Sequence, residues 1–257
     1  MMQALHEHIA KDGFRLRGTA MSRIDGFSDV VFGFALTLIV VSLEVPRTYD
    51  ELHAVLLGFV PFAICFAFLI MVWYAHFRFF RRYNLHDFRT IVINSALLFT
   101  VLFYVYPLKF LFNLISFQVV GITTTVDATH KVVPVFSAPW QTRELMVVYG
   151  LGFAATYFCL AALYWNAWRQ RIHLRLNPLE TTLTLSYMWD LIGAGCVGLL
   201  CCATAMILPA EKAGNAGWVF FSIGIYKTIH GFVAGKRVRA ARARTLPEDH
   251  GPLSHTA

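Results

Sequence analysis

Arginine-rich segments alternate with arginine-poor ones between six long apolar runs, and this alternation constrains the chain more than any other feature. A helix needs about 20 mostly apolar residues to cross the hydrocarbon of a bilayer. Runs at about 27–45, 53–76, 89–112, 144–167, 181–208 and 215–234 reach that length. The fold class that follows is an all-α integral membrane protein with six transmembrane helices. Composition agrees: 57% of residues are hydrophobic and 14% charged, where a soluble domain carries about 25% charge. The excess apolar surface must face lipid.

Orientation follows from the basic residues, which accumulate on the cytoplasmic side of membrane proteins. Lys11, Arg15, Arg17 and Arg23 precede the first run; Arg78, Arg81, Arg82 and Arg89 fill the second connection; Arg169, Arg171 and Arg175 fill the fourth; Lys236, Arg237, Arg239, Arg242 and Arg244 follow the last. Sixteen of the 22 Lys and Arg thus fall on one side, which predicts both termini inside. The net charge of +7 is therefore topological and does not call for a nucleic-acid partner. The domain plan is a cytoplasmic segment 1–26, a six-helix membrane domain 27–235 and a basic, disordered tail 236–257. Residues 1–26 lack the apolar core and small-residue site of a cleavable signal, so the first run is expected to act as its own insertion signal. The Val- and Thr-rich connection at about 113–143 falls outside, with room for a short extended ribbon.

Prolines mark several boundaries. Pro46 closes the first run, Pro178 after Asn177 opens the fifth, Pro209 ends it, and Pro107 is expected to kink or end the third helix. The five cysteines (Cys65, Cys159, Cys196, Cys201 and Cys202) lie inside apolar runs without a CxxC spacing and read as small buried or lipid-facing side chains. No metal site and no cofactor is expected.

The first run carries the most chemical information. Ser28 and Asp29 stand where they can cap a helix whose positive end favours a carboxylate. A carboxylate entering an apolar helix also needs a partner. The second run ends in Trp73-Tyr74-Ala75-His76-Phe77-Arg78, so His76 reaches about the depth of Asp29, and an Asp29–His76 contact with Arg23 nearby is predicted. Phe34, Leu38, Val41 and Val45 share one helix face, with Thr37 beside it. Glu44, near the outer end, sits against the helix dipole; it is either a cation attractor at a pore mouth or a solvated helix end.

The pattern Arg23, Phe27-Ser28-Asp29, Thr37, Pro46 resembles the transmembrane protein 175 family, the lysosomal potassium channels and their bacterial and archaeal relatives. The stretch from Trp73 to Phe80, and Asn94 followed by Leu97-Leu98-Phe99 and Pro107, agree with it. The resemblance is specific over residues 23–110 and hydropathic beyond. It implies a prokaryotic single-repeat channel in the plasma membrane, assembled as a homotetramer around a central pore lined by the first helix, with potassium as the permeant ion. It also implies a constriction at Phe34, Leu38 and Val41 with Thr37 beside it, and a polar network of Arg23, Phe27, Ser28, Asp29, Trp73, His76 and Asn94 that holds the pore helix. Phe34 stands where the family usually has a smaller aliphatic residue, so four phenyl rings would occlude the path or need a rotamer change to open it. The carbonyl-lined filter TVGYG is absent, leaving dehydration at an apolar ring to set selectivity.

Other intramembrane ionisable groups need partners. Asp190 and Lys227 are expected to form an ion pair between the last two helices, with His230 near. Gly193, Ala194, Gly195 and Gly198 form a small-residue patch for close helix packing, and the basic tail faces anionic headgroups or only sets topology. An alternative to the channel is a proton or ion transporter using Asp29, His76, Asp190, Lys227 and His230. A membrane enzyme is disfavoured, since no nucleophile motif, HExxH or acid pair stands out.

Overall fold

The computed structural model describes residues 9–41, 48–49, 52–53, 56, 59–120, 124–126, 132–134 and 136–245. Six α-helices make up most of it: α1 (Arg23–Val41), α2 (Phe59–Tyr83), α3 (Phe88–Val120), α4 (Pro139–Arg169), α5 (Pro178–Ile207) and α6 (Ser222–Thr245). Two short strands, β1 (Thr124–Val126) and β2 (Val132–Pro134), pair antiparallel with Thr125 opposite Val133, giving the connection between α3 and α4 its ribbon. Among the described residues, four helical stretches are long and apolar enough to cross a membrane: Phe62–Tyr83, Phe88–Leu108, Pro139–Arg169 and Pro178–Ile207.

Helix α5 shows how local sequence sets a boundary. Asn177 caps it, accepting from the Glu180 amide at 2.7 Å, and the Glu180 carboxylate accepts from the Asn177 amide at 3.0 Å. This reciprocal box, with Pro178 at the first helical position, satisfies amides that a helix start leaves free. Helices α4 and α5 then approach closely where neither has a side chain: a Cβ on Gly198 would lie 2.6 Å from the Gly150 carbonyl oxygen. Gly195 makes room for the Phe158 ring in the same way.

Three expectations need correction. Pro107 neither ends α3 nor stops it near residue 112; the helix runs through it to Val120. Tyr149 of α4 donates to the Pro107 carbonyl at 3.0 Å, and Tyr104 donates back to the Tyr149 carbonyl at 3.0 Å, so packing against α4 supports the segment. The run at 215–234 is not one α-helix: Ala210–Phe221 winds as a 3-10 helix before α6 begins. Gly214 and Gly217 weaken α-helix there, and in a 3-10 helix residues three apart eclipse, which puts the buried Ala213 and Ala216 on one stripe. Residues 236–245 are helical rather than disordered, since alanine and arginine are strong helix formers.

The core joins α1 to α5. Phe32, Ala35 and Ile39 of α1 pack with Leu69, Val72 and Phe79 of α2, Leu97 and Val101 of α3, Leu160 and Tyr164 of α4, and Leu183 and Met188 of α5. Helix α6 contributes one buried residue, Ala241, to this described core, with Ile223 and Val238 packed partly against it, and its Ile225, Ile229 and Phe232 are exposed.

The segment before α1 is built into the bundle as a strap. Gly13 adopts φ +87° in a turn that pairs Ile9 with Arg15 and delivers Phe14, fully buried, against Tyr83 with ring centroids 5.3 Å apart. The amides of Arg17 and Gly18 donate to the Arg81 carbonyl at 3.2 and 3.1 Å. Arg82, almost fully buried, pairs with Asp12 and lies over the rings of Phe14 and Tyr187. Residues 1–26 were expected only as a polar cytoplasmic segment; long-range contacts order the part from Ile9 onward.

Candidate functional site

Helix α1 starts earlier than its Ser28-Asp29 pair suggests. The Ser22 hydroxyl accepts from the Asp25 amide at 3.2 Å, and the Asp25 carboxylate accepts from the Ser22 amide at 3.1 Å. That reciprocal cap starts the helix at Arg23. Ser28 and Asp29 therefore sit in its second turn and are released from capping to bind neighbouring helices.

Both do so. The Ser28 hydroxyl donates to its own helix at the Ile24 carbonyl, 2.8 Å away. With that hydrogen committed, Ser28 Oγ can only accept from outside, and Asn94 of α3 donates to it at 2.9 Å. The Asn94 carbonyl oxygen is then left to accept from His76 Nε2 of α2, at 2.8 Å. The chain of donors fixes His76 with its hydrogen on Nε2. Ser28, His76 and Asn94 are all buried. Beside them Trp73 Nε1 donates to Asp29 at 2.8 Å. The expected Asp29–His76 contact is thus replaced by two parallel links, because the indole reaches the carboxylate and Asn94 takes the imidazole. Arg23 and Phe27 do not join the network; both are exposed, Phe27 at 64%.

These links decide which way α1 faces. Ser28, Phe32, Ala35 and Ile39 recur at i, i+4, i+7 and i+11 and are buried against the protein's own core. On the opposite side, Phe27, Val30, Phe34 and Thr37 are uncovered, with Val30 at 70% and Phe34 at 56% exposure. Thr37 turns its hydroxyl inward along the helix, donating to the Phe34 carbonyl at 2.7 Å. Leu38 lies at the edge of this face and packs partly on the core. Val41 ends the helix; its side chain, Val45 and Glu44 lie outside the described residues. Val30 was missed by the sequence reading. Spacing gave the signal, since Val30, Phe34, Thr37 and Val41 repeat the buried stripe's own period half a turn away.

Residues 23–104, which contain α1, α2 and the first half of α3, match the family model described as endosomal/lysosomal potassium channel TMEM175. A protein from Marivirga tractuosa named "Potassium channel" is 37% identical over 236 residues, spanning 88% of this chain and 92% of that relative. The chain belongs to the TMEM175 family. Its fold matches a crystal structure of a point variant of the potassium channel MtTMEM175 bound to a nanobody–MBP fusion, with TM-score 0.74 and 33% identity over 89% of this chain and 99% of that one. A homologue of the lysosomal potassium-selective channel TMEM175 from Chamaesiphon minutus shares the fold at TM-score 0.52 and 22% identity, covering 82% of this chain and 96% of that one. Ser28, Asp29, Trp73, His76 and Asn94 all fall within the segment that the family model matches.

The second polar group lies apart, on α5 and α6. Lys227 donates to Asp190 at 2.7 Å, and His230 Nδ1 lies 3.8 Å from the other carboxylate oxygen. The residues of the transporter alternative therefore divide into a pair on α1 and α2 and a trio on α5 and α6.

Two sites were not anticipated. Glu180, fully buried, accepts from Arg15 Nε at 3.1 Å and Arg15 Nη2 at 3.0 Å, and from Arg17 at 2.9 Å. Those hydrogen bonds hold the Arg15 guanidinium above its ordinary pKa. Asp87, just before α3, accepts from Thr90 at 2.6 Å and from Asn166 of α4 at 3.3 Å. Partial burial pushes its pKa up, but hydrogen bonds from Thr90, Gln170 and Asn166 outweigh this and hold it below the usual carboxylate value.

Proposed function

We propose that this protein is a potassium-permeable cation channel in which several copies of α1 surround a central pore. The uncovered face of α1 carries the reading. A helix tied down on one side by Ser28, Asp29 and its buried stripe leaves Phe27, Val30, Phe34 and Thr37 without cover from its own chain. Lipid also covers apolar faces in a bilayer, so this face supports a lumen together with the potassium-channel family membership of the segment that carries it. One such helix per chain requires several chains around any central axis, and a homotetramer fits the pattern.

In this reading all six helices cross the bilayer with both termini cytoplasmic, as the basic residues suggest, in the plasma membrane of a prokaryote. Monovalent cations pass a constriction formed by Phe34, Thr37, Leu38 and Val41, with Glu44 at the outer mouth. The constriction is apolar, so it selects through the cost of removing water from the ion. The network of Ser28, Asp29, Trp73, His76 and Asn94 keeps the lining face toward the axis.

The test is potassium flux into liposomes holding the purified protein, with sodium and proton arms in parallel. Potassium uptake that needs no added ionophore is expected. Flux of protons alone, or silence that persists in Phe34→Ala at protein densities that give one tetramer per vesicle, would refute the channel reading; silence relieved by Phe34→Ala would mean that Phe34 seals the pore.

A further inference from the structure

Helix α6 is fastened to the bundle at two places and stands away from it between them. Near its start, Tyr226 donates to the Trp189 carbonyl at 2.6 Å and Lys227 to Asp190 at 2.7 Å. The Tyr226 ring occupies the space left by Gly193, where a Cβ would lie 2.0 Å from it. Near the other end Ala241 is buried. The two helices run antiparallel, and between the fastenings they enclose a cleft of about 800 Å³. Its existence follows from small residues: Ala234, Ala240 and Ala241 stand where larger side chains would fill the gap.

The cleft has two chemical ends. Toward the Tyr226 fastening it is lined by Trp189, Val233 and Ala234, with Tyr226 and His230 at its edge; toward the chain's C-terminal side it is lined by Thr182, Leu185, Ser186 and Arg237. The Thr182 hydroxyl is committed to the Pro178 carbonyl at 2.8 Å, so Ser186 is the hydroxyl left to donate. Arg237 is exposed and pairs with no carboxylate among the described residues. From Ser222 to Thr245 the helix holds six basic residues (Lys227, Lys236, Arg237, Arg239, Arg242 and Arg244) and no acidic one. An apolar slot that ends in an unpaired guanidinium and a free hydroxyl is complementary to one acyl chain joined to a phosphate.

We propose that this cleft binds an anionic phospholipid, its phosphate held by Arg237 and Ser186 and one acyl chain lying along Trp189, Val233 and Ala234. Basic pockets between helices at headgroup level recognise such lipids, and an arginine fork suits a phosphate better than a lysine does. The proposal rests on the reading above only in that α6 crosses the membrane with its basic end at one headgroup level.

The experiment uses the full-length protein in a neutral detergent, followed by native mass spectrometry and thermal unfolding. Phosphatidylglycerol, phosphatidylcholine and inorganic phosphate are titrated separately. Phosphatidylglycerol is expected to remain bound and raise Tm, while the other two do neither. Arg237→Gln should weaken phosphatidylglycerol roughly fivefold, the effect of one basic residue at an anionic surface. Arg239→Gln, which removes the same charge from outside the cleft, should leave it unchanged. Ala234→Trp should fill the slot and abolish retention; should that variant fail to fold, the two arginine variants decide. Equal retention of phosphatidylcholine, equal stabilisation by inorganic phosphate, or equal loss in the two arginine variants overturns the proposal. So does Ser186→Cys cross-linking between copies, which would make the cleft a subunit contact. Lipid retention without potassium flux would leave this site standing and sink the channel reading.

Discussion

The Asn94 amide donates to Ser28 Oγ at 2.9 Å across 66 residues of sequence, and this bond joins α1 to α3 at a place where both partners are buried. It is also the hinge of a donor chain that runs from His76 through Asn94 and Ser28 to the Ile24 carbonyl. Removing the central member strands a donor on His76 and an acceptor on Ser28.

Asn94→Ala should therefore destabilise the protein by about 1–3 kcal/mol for each polar group left unsatisfied. Thermal unfolding in detergent reads this as a lower Tm, with loss of assembled protein on size exclusion. Ser28→Ala and Asn94→Ala should be non-additive in combination, since they break one chain of bonds. The surviving protein should keep its potassium-to-sodium ratio. An Asn94→Ala protein that melts normally but changes ion preference would contradict an anchoring role.

The strap offers a second test. Glu180 holds both Arg15 and Arg17 from a fully buried position, and charge-assisted bonds of this kind carry about 1.5–3 kcal/mol each. Arg15 is half exposed, so its share is reduced by solvent screening. Glu180→Gln keeps the shape and removes the charge. We expect faster limited trypsin cleavage after Arg15 and Arg17, with the membrane helices still protected. Unchanged cleavage would mean that Phe14 burial, the Asp12–Arg82 pair and the bonds to the Arg81 carbonyl fix the strap without the Glu180 charge.

Much of this was legible in the sequence where the determinants are local. The Asn177-Pro178 start of α5 needs only a capping residue and a fixed φ, and the apolar runs of α2 to α5 need only length. The network was half legible: His76 and Asp29 were placed at one depth, but depth alone does not choose between Trp73 and Asn94 as partners. The strap was not legible, because Phe14 meets Tyr83 of α2 and Arg15 and Arg17 meet Glu180 of α5 only through folding, and nothing near Phe14 signals a buried position. The start of α1 was misplaced because two capping pairs compete within seven residues, and only burial of Ser28 reveals that Ser22 wins. For α6, weak apolarity and two glycines concealed a 3-10 segment, while its alanine and arginine tail looked merely charged.

Acid should act through Asp87. Its folded pKa is held below the ordinary value by the hydrogen bonds from Thr90, Gln170 and Asn166. A depressed carboxylate contributes stability that is present above its unfolded pKa of about 3.9 and is lost as pH falls through the folded value. Asp87→Asn should thus lower Tm at neutral pH, and the gap between variant and parent should close as pH drops below about 4. A gap that persists undiminished into acid would assign the effect to geometry rather than charge.

Phe32 and Phe34 stand two residues apart on opposite sides of α1, one at 1% and the other at 56% exposure, and they separate folding from conduction. Phe32 packs on the His76 ring at 5.5 Å between centroids and belongs to the core, so Phe32→Ala should cost about 3–5 kcal/mol through the cavity it leaves. Its readout is a fall in Tm and in yield of assembled protein. Phe34 has no such packing to lose, and Phe34→Ala should change Tm little. If Phe34 forms the tightest ring, removing its phenyl group raises potassium flux severalfold in liposomes at equal protein density, with weaker discrimination against sodium because less water must be shed. Unchanged flux in Phe34→Ala, with Phe32→Ala destabilised as expected, would keep the orientation of α1 and move the constriction to another position on the same face.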